Sequence, residues 1–170
     1  MEQEIRQVGR LTNKEKITNS VTWEHIHEVA ILLNEMINHI QDRSLKHDAS
    51  KLELPEVEVF TEYTPKLTKC TYGSDEYKRY LKEMKEGALD HHYAHNSHHP
   101  EHHKDGINDM TLIDIIEMLA DWKAATMRHD DGDIMKSIEY NGKRFNISDQ
   151  LAKILKNTVS QLNWDINPLI

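Results

Sequence analysis

The chain holds one cysteine, Cys70, and only two phenylalanines, six glycines and four prolines in its 170 residues. A lone thiol excludes an internal disulfide framework and suits a reducing compartment. Strand-favouring residues are sparse, whereas Leu, Ile, Met, Lys and Glu recur at helical spacing, so an all-α fold is expected. Long apolar runs are missing too. The longest, Val29 to Leu33, falls far short of the ~20 residues needed to span a bilayer. The opening Met-Glu-Gln-Glu has no apolar h-region, so no signal peptide, no membrane partner and a cytoplasmic location are expected. There is no basic excess either: 21 Lys and Arg stand against 29 Asp and Glu, for a formal charge of −8. That argues against a duplex nucleic-acid partner, which needs a basic footprint to displace counterions. Small anionic ligands stay open, because a bound metal reverses the field locally.

What the chain has in excess is histidine. Seven of its twelve histidines lie between His91 and His103, well inside the chain and not in a tag. A single domain over residues 1–170 is expected, with a polar N-terminal arm or short helix (1–20), a central block (22–128) and a C-terminal helix (147–163). From Thr22, read as an N-cap, apolar residues at Val29, Leu32, Leu33, Met36, Ile37 and Ile40 form a helical stripe, with His25 on its core-facing side. A second helix should carry His47 and Asp48. Pro55 opens a helix over Glu56 to Tyr63, which Pro65 should interrupt, and residues 65–74 read as a loop. Ser74 should cap the next helix, whose inner face (Tyr77, Leu81, Met84, Ala88) leads to His91 or His92 and then His95 or Asn96.

Ser97 to Gly106 reads as a loop from its Pro and Asp-Gly. Thr111 with Asp114 reads as a capping box, opening a helix with Leu112, Ile115, Ile116, Leu119 and Trp122 inward and Asp121 beside that stripe. Residues 130–146 look polar and turn-rich, with a hairpin-like excursion around Tyr140-Asn-Gly142. A last amphipathic helix runs from about Ser148 through Leu151, Ile154, Leu155, Val159 and Leu162. His27 and His39 read as surface histidines.

The chemistry centres on His47-Asp48. Adjacent imidazole and carboxylate can bind one metal together, or the carboxylate can bridge two. Each neighbour also has an ordinary reading. His25 can be a core imidazole satisfied by a carbonyl, Asp121 can sit in a salt bridge, and Lys51 can be a solvated cation. The order His25, His47-Asp48, histidine cluster, Asp121, each from a different predicted helix or loop, resembles the HD-domain metal-dependent phosphohydrolase superfamily. His25-Ile-His-Glu-Val-Ala30 resembles its first ligand helix, and Leu45-Lys-His-Asp-Ala-Ser-Lys51 its His-Asp turn, with Ser50 in place of the usual Gly. Ala120-Asp-Trp-Lys-Ala-Ala-Thr126 resembles its last ligand helix. His98 to Gly106 is similar to a segment of the HD-GYP branch, but the Gly-Tyr-Pro is absent, so a cyclic-dinucleotide role is not supported. The run from His92 through Pro100-Glu101, followed by Glu117 and Asp121-Trp122, looks like a small uncharacterised family often found in phages, which would place the protein in host cytoplasm.

The resemblance implies an HD-domain-like bundle of about six helices. It implies one metal held by His25, His47, Asp48 and Asp121, and Asp48 bridging to a second held by His92, His98 and His99. His91 and His95 stay open as alternatives to His92. Imidazole and carboxylate without thiolate suit one or two ions of Mn, Fe, Co, Zn or Ni. Asp48 and Lys51 are the expected catalytic residues, Lys51 as a phosphate anchor, with Lys123 and Arg128 as weaker anchors. The expected activity is hydrolysis of a small phosphorylated substrate, a nucleotide or another phosphate ester, and a homo-oligomer is compatible with it. Two other readings stand beside it: an HD-type di-iron oxygenase, and a histidine-rich metal-binding or sensing protein without catalysis.

Overall fold

The computed structural model describes residues 11–71, 74–128 and 132–166. Among these residues there is no strand, and the all-α expectation is borne out by seven α-helices. They are α1 (Asn13–Lys46), α2 (Glu56–Leu67), α3 (Asp75–Met84), α4 (Asp90–His95), α5 (Leu112–Thr126), α6 (Ile134–Arg144) and α7 (Asp149–Gln161). No helix among the described residues is long and apolar enough to cross a membrane. The chain divides into two units, Met1–Gln41 and Asp42–Ile170.

The described part of the first unit is α1 up to Gln41. Its N-terminus is set by Thr12, whose side chain accepts from the Glu15 amide while the Glu15 carboxylate takes the Thr12 N–H and hydroxyl. This reciprocal cap starts the helix ten residues before the expected Thr22. No Gly or Pro follows before Lys46, so one helix replaces the two expected across residues 22–48. α1 buries none of its residues.

In the second unit, α5, α6 and α7 enclose the core of Met118, Leu119, Trp122, Ile134, Ile138, Leu155 and Val159. The caps read from sequence are present: Ser74 accepts from Tyr77, Thr111 and Asp114 form a capping box, and Ser148 accepts from Leu151. Residues 134–144 are a helix and not the turn-rich excursion expected, since Asp133 caps two amides and Ile134 and Ile138 supply buried i, i+4 anchors. Gly142 lies in its last turn, where a glycine costs little. α2 runs past Pro65 to Leu67. Leu112 and Ile116, expected inward, are exposed, because Met118, Leu119 and Trp122 define the buried side of α5. Ile154 and Leu162 on and after α7 are exposed as well. Of the expected Tyr72-Gly73-Ser74 turn, residues 72 and 73 lie outside the described residues, as do residues 1–10 of the expected arm.

One run positions the site. Met84, Ala88, His92 and Asn96, spaced by four, are all buried. In a regular α-helix each i+4 step drifts by about 40°, so four such positions would wind off one face. A π-helical turn at Lys85–Leu89, between α3 and α4, underwinds the chain and keeps His92 and Asn96 inside.

Candidate metal centre

His47 and Asp48 sit in the turn directly after α1. Asp48 has φ 55°, a left-handed conformation that a short polar residue tolerates better than most. That twist leads into a 3-10 turn over Ala49–Leu52, which returns the Lys51 ammonium to the Asp48 Oδ2. His92 comes from α4, and His98 and His99 follow in the loop capped by buried Pro100. Asp114, Glu117 and Asp121 form one row on α5, at i, i+3 and i+7.

The two oxygens of Asp48 face different partners. Oδ1 lies 3.2 Å from His92 Nε2 and 3.6 Å from His98 Nε2, and His92 Nε2 lies 2.9 Å from His99 Nε2. Oδ2 lies 3.5 Å from His47 Nε2, which is 3.6 Å from Asp121 Oδ1. Asp48, His92, His98 and His99 bring one ligand atom each within 4.8 Å of one another, as do His47, Asp48 and Asp121.

The opposite ring nitrogens are tied down. His92 Nδ1 is 2.8 Å from the fully buried Glu56, and Glu117 Oε1 lies 2.9 Å from His47 Nδ1 and 3.1 Å from His98 Nδ1. Holding Nδ1 against these carboxylates turns the Nε2 atoms of His47, His92 and His98 toward Asp48. The other oxygen of Glu117 takes the Arg43 Nε, and Arg43 also donates to Asp114 and Ser97, both at 2.8 Å. His47, His98 and Glu117 also lie within 4.8 Å. An ion among those three would strip the hydrogen bonds that orient both rings, so we place no ion there.

Electrostatics separates the two sides. In the metal-free protein, hydrogen bonding to Asp121 and Glu117 raises His47 to about 10. Burial lowers His99 to about 3, helped by the adjacent His98 and His92 rings. Burial pushes Asp48 upward, but His92 and Lys51 outweigh it and hold the carboxyl well below the usual range. Glu117 is likewise held ionised, by His47, His98 and Arg43 against its burial.

Two buried atoms, Asp48 Oδ1 and His98 Nε2, make no well-directed hydrogen bond, Oδ1 having only the ion-pair contact to His92 Nε2 at 3.2 Å. Orphaned buried polar atoms cost about 1–3 kcal/mol each, and these two face one another across 3.6 Å. A cation between them removes that cost, so the donor set fits a metal.

Six of the seven expected ligands, all except His25, belong to the two groups around Asp48. His25 is exposed on α1 and belongs to neither. His91 bonds the other oxygen of Glu56 and stacks on exposed His95, so His92 alone of the three points into the cluster. Lys51 is at the site, also 5.0 Å from the Phe60 ring centroid. Lys123 is committed to the Trp164 carbonyl, and Arg128 is exposed. Sequence reasoning missed Glu117, Glu56 and Arg43 as supports. Glu117 was findable, four residues before Asp121 on one helix face.

Fold and cluster together define an all-helical protein with groups able to hold a metal ion. Residues 14–161 match the family described as a family of unknown function (DUF5662), and the chain belongs to that family. No curated protein and no solved structure matches the chain.

Proposed function

We propose that this protein is a metal-dependent phosphohydrolase of the HD type, cleaving a nucleotide or another small phosphate ester with an activated water. The observation that carries this reading is the division of Asp48: one oxygen faces three imidazoles, the other faces His47 and Asp121. His92, His98, His99 and Asp48 would hold one divalent ion, and His47, Asp121 and Asp48 the other. When bound, such a pair supplies Lewis acidity toward a phosphoryl oxygen and acidifies water.

The chain's own residues do the rest. Glu56 and Glu117 hold the Nδ1 protons and so fix which nitrogen each ring presents. Arg43 keeps Glu117 ionised and in register. Lys51, on the partly open side of Asp48, is placed to meet the negative charge of an arriving phosphate. Metal analysis with a screen of nucleotides and phosphate esters tests this. Hydrolysis with several divalent ions and its loss in Asp48→Ala are expected. Full activity and full metal content in Asp48→Ala would overturn it.

The four histidines and two aspartates of the two groups also suit the second reading, a di-iron oxygenase. That protein would carry iron with a visible or paramagnetic signature and be inactive with Mn. Retained hydrolysis with Mn decides for the phosphohydrolase.

A further inference from the structure

The centre around Asp48 uses three of the seven histidines between His91 and His103, namely His92, His98 and His99. Beyond it, His103 gives Nε2 to the Ser97 carbonyl, and His102 gives Nδ1 to the Tyr93 carbonyl with its ring edge-on to His103. The remaining two, His91 and His95, are one turn apart on α4. Their rings stack, with centroids 4.0 Å apart and planes 22° from parallel.

Hydrogen bonding fixes which nitrogen each of these rings presents. A carbonyl can only accept, so His95 donates Nδ1–H to the His91 carbonyl at 2.8 Å, and the neutral ring then carries its lone pair on Nε2. His91 Nδ1 lies 2.7 Å from Glu56 Oε1, while the other oxygen of Glu56 faces His92 Nδ1 at 2.8 Å. Burial pushes the Glu56 carboxyl upward, but hydrogen bonds from His91 and Ser50 outweigh it, so the ionised carboxylate accepts from the ring. His91 therefore presents Nε2 as well. Neither Nε2 has a hydrogen-bond partner among the described residues. His95 is exposed and the His91 side chain is 34% exposed, so water reaches the pair.

We propose that His91 and His95 form an outer metal site, a two-imidazole chelate for a divalent transition ion, copper(II) above nickel(II) and zinc(II), with water as its other ligands. Imidazoles at i and i+4 share one side of a helix and can close on a single ion. Buried Glu56 supports this site as it supports the enclosed group, one oxygen to His91 and the other to His92. The outer site does not depend on ions at Asp48. With two protein ligands against the three and four of the groups around Asp48, it holds its ion most weakly. Dialysis should therefore empty it and leave the inner count unchanged.

Titration of the full chain with copper(II) alone tests this. At saturation the wild type should hold one more ion per chain than His95→Ala, a change at an exposed position, and His91→Ala should lose that same ion. The double variant should lose no second ion, and His102→Ala, also exposed, should lose none. Copper held elsewhere on the chain is common to every variant and cancels. The His95-dependent copper should show two imidazole nitrogens by electron paramagnetic resonance. Equal saturation of the wild type and His95→Ala, loss of the ion in His102→Ala, or a signal from a single imidazole overturns the outer site. A chain that binds this copper yet holds no ion at Asp48 would count only against the inner centre.

Discussion

The two sides of Asp48 are built from the same residue types and differ in enclosure. Toward α4, the rings of His92 and His98 are nearly inaccessible, one backed by buried Glu56 and the other by Glu117. Toward α5, His47 and Asp121 remain about a third open, and Lys51 stands beside them. Burial makes the first side the more rigid one, because its rings are held at Nδ1 by Glu56 and Glu117 and His98 Nε2 has no hydrogen-bond partner. Partial exposure leaves the second side the more accessible of the two. The shared carboxylate makes them one centre.

The largest effect should come from the residue both sides use. Asp48→Asn should reduce hydrolysis by at least about 10³-fold in steady-state assays, since it weakens both groups together. Next comes a change that spares the comparison: Leu155→Ala should destabilise the α5–α6–α7 core by about 2–5 kcal/mol in denaturant titrations, while ion stoichiometry at low temperature stays at the wild-type value. The supports should then divide the sides. Glu56→Gln should weaken metal affinity at the enclosed side about 10- to 100-fold by calorimetry, and Glu117→Gln should weaken both, because it orients His47 and His98 alike. Equal effects of the two changes on both ions would erase the distinction.

The smallest effect is in pH. His47 is raised from 6.5 to about 10 in the metal-free protein, so its proton stabilises that state fully below pH 6.5 and progressively less as pH climbs through about 10. An ion at the open side must displace that proton, so its affinity rises over the same interval. His99 is already neutral above about 3 and imposes no such competition. Acidifying the loaded protein from about pH 9 to about pH 6 should therefore release the open-side ion first, seen by cobalt absorbance.

Much of this was legible in the residues, because caps and ligands carry local signals. Ser74, Thr111 and Ser148 announce their helices, and His47-Asp48 with the later histidines announces the cluster. What was not legible depends on tertiary context. Ile134 and Ile138 lie among polar residues, and α6 draws on their packing against α5 and α7 as well as on the Asp133 cap. Leu112 and Ile116 fit an inward pattern as well as Ile115 does, yet of the three only Ile115 packs against the core. The apolar stripe of α1 promised a buried helix, yet none of that helix's own residues is buried among the described residues. Glu56 gives no sequence sign that it will meet two histidines about 35 residues away.

Counting ions by native mass spectrometry, in the wild-type chain and in Asp48→Ala, tests the central claim most directly. One carboxylate serving both groups predicts two ions per chain in the wild type and the loss of both in the variant. Loss of a single ion, or of none, would mean that the two sides are independent sites and that Asp48 does not join them.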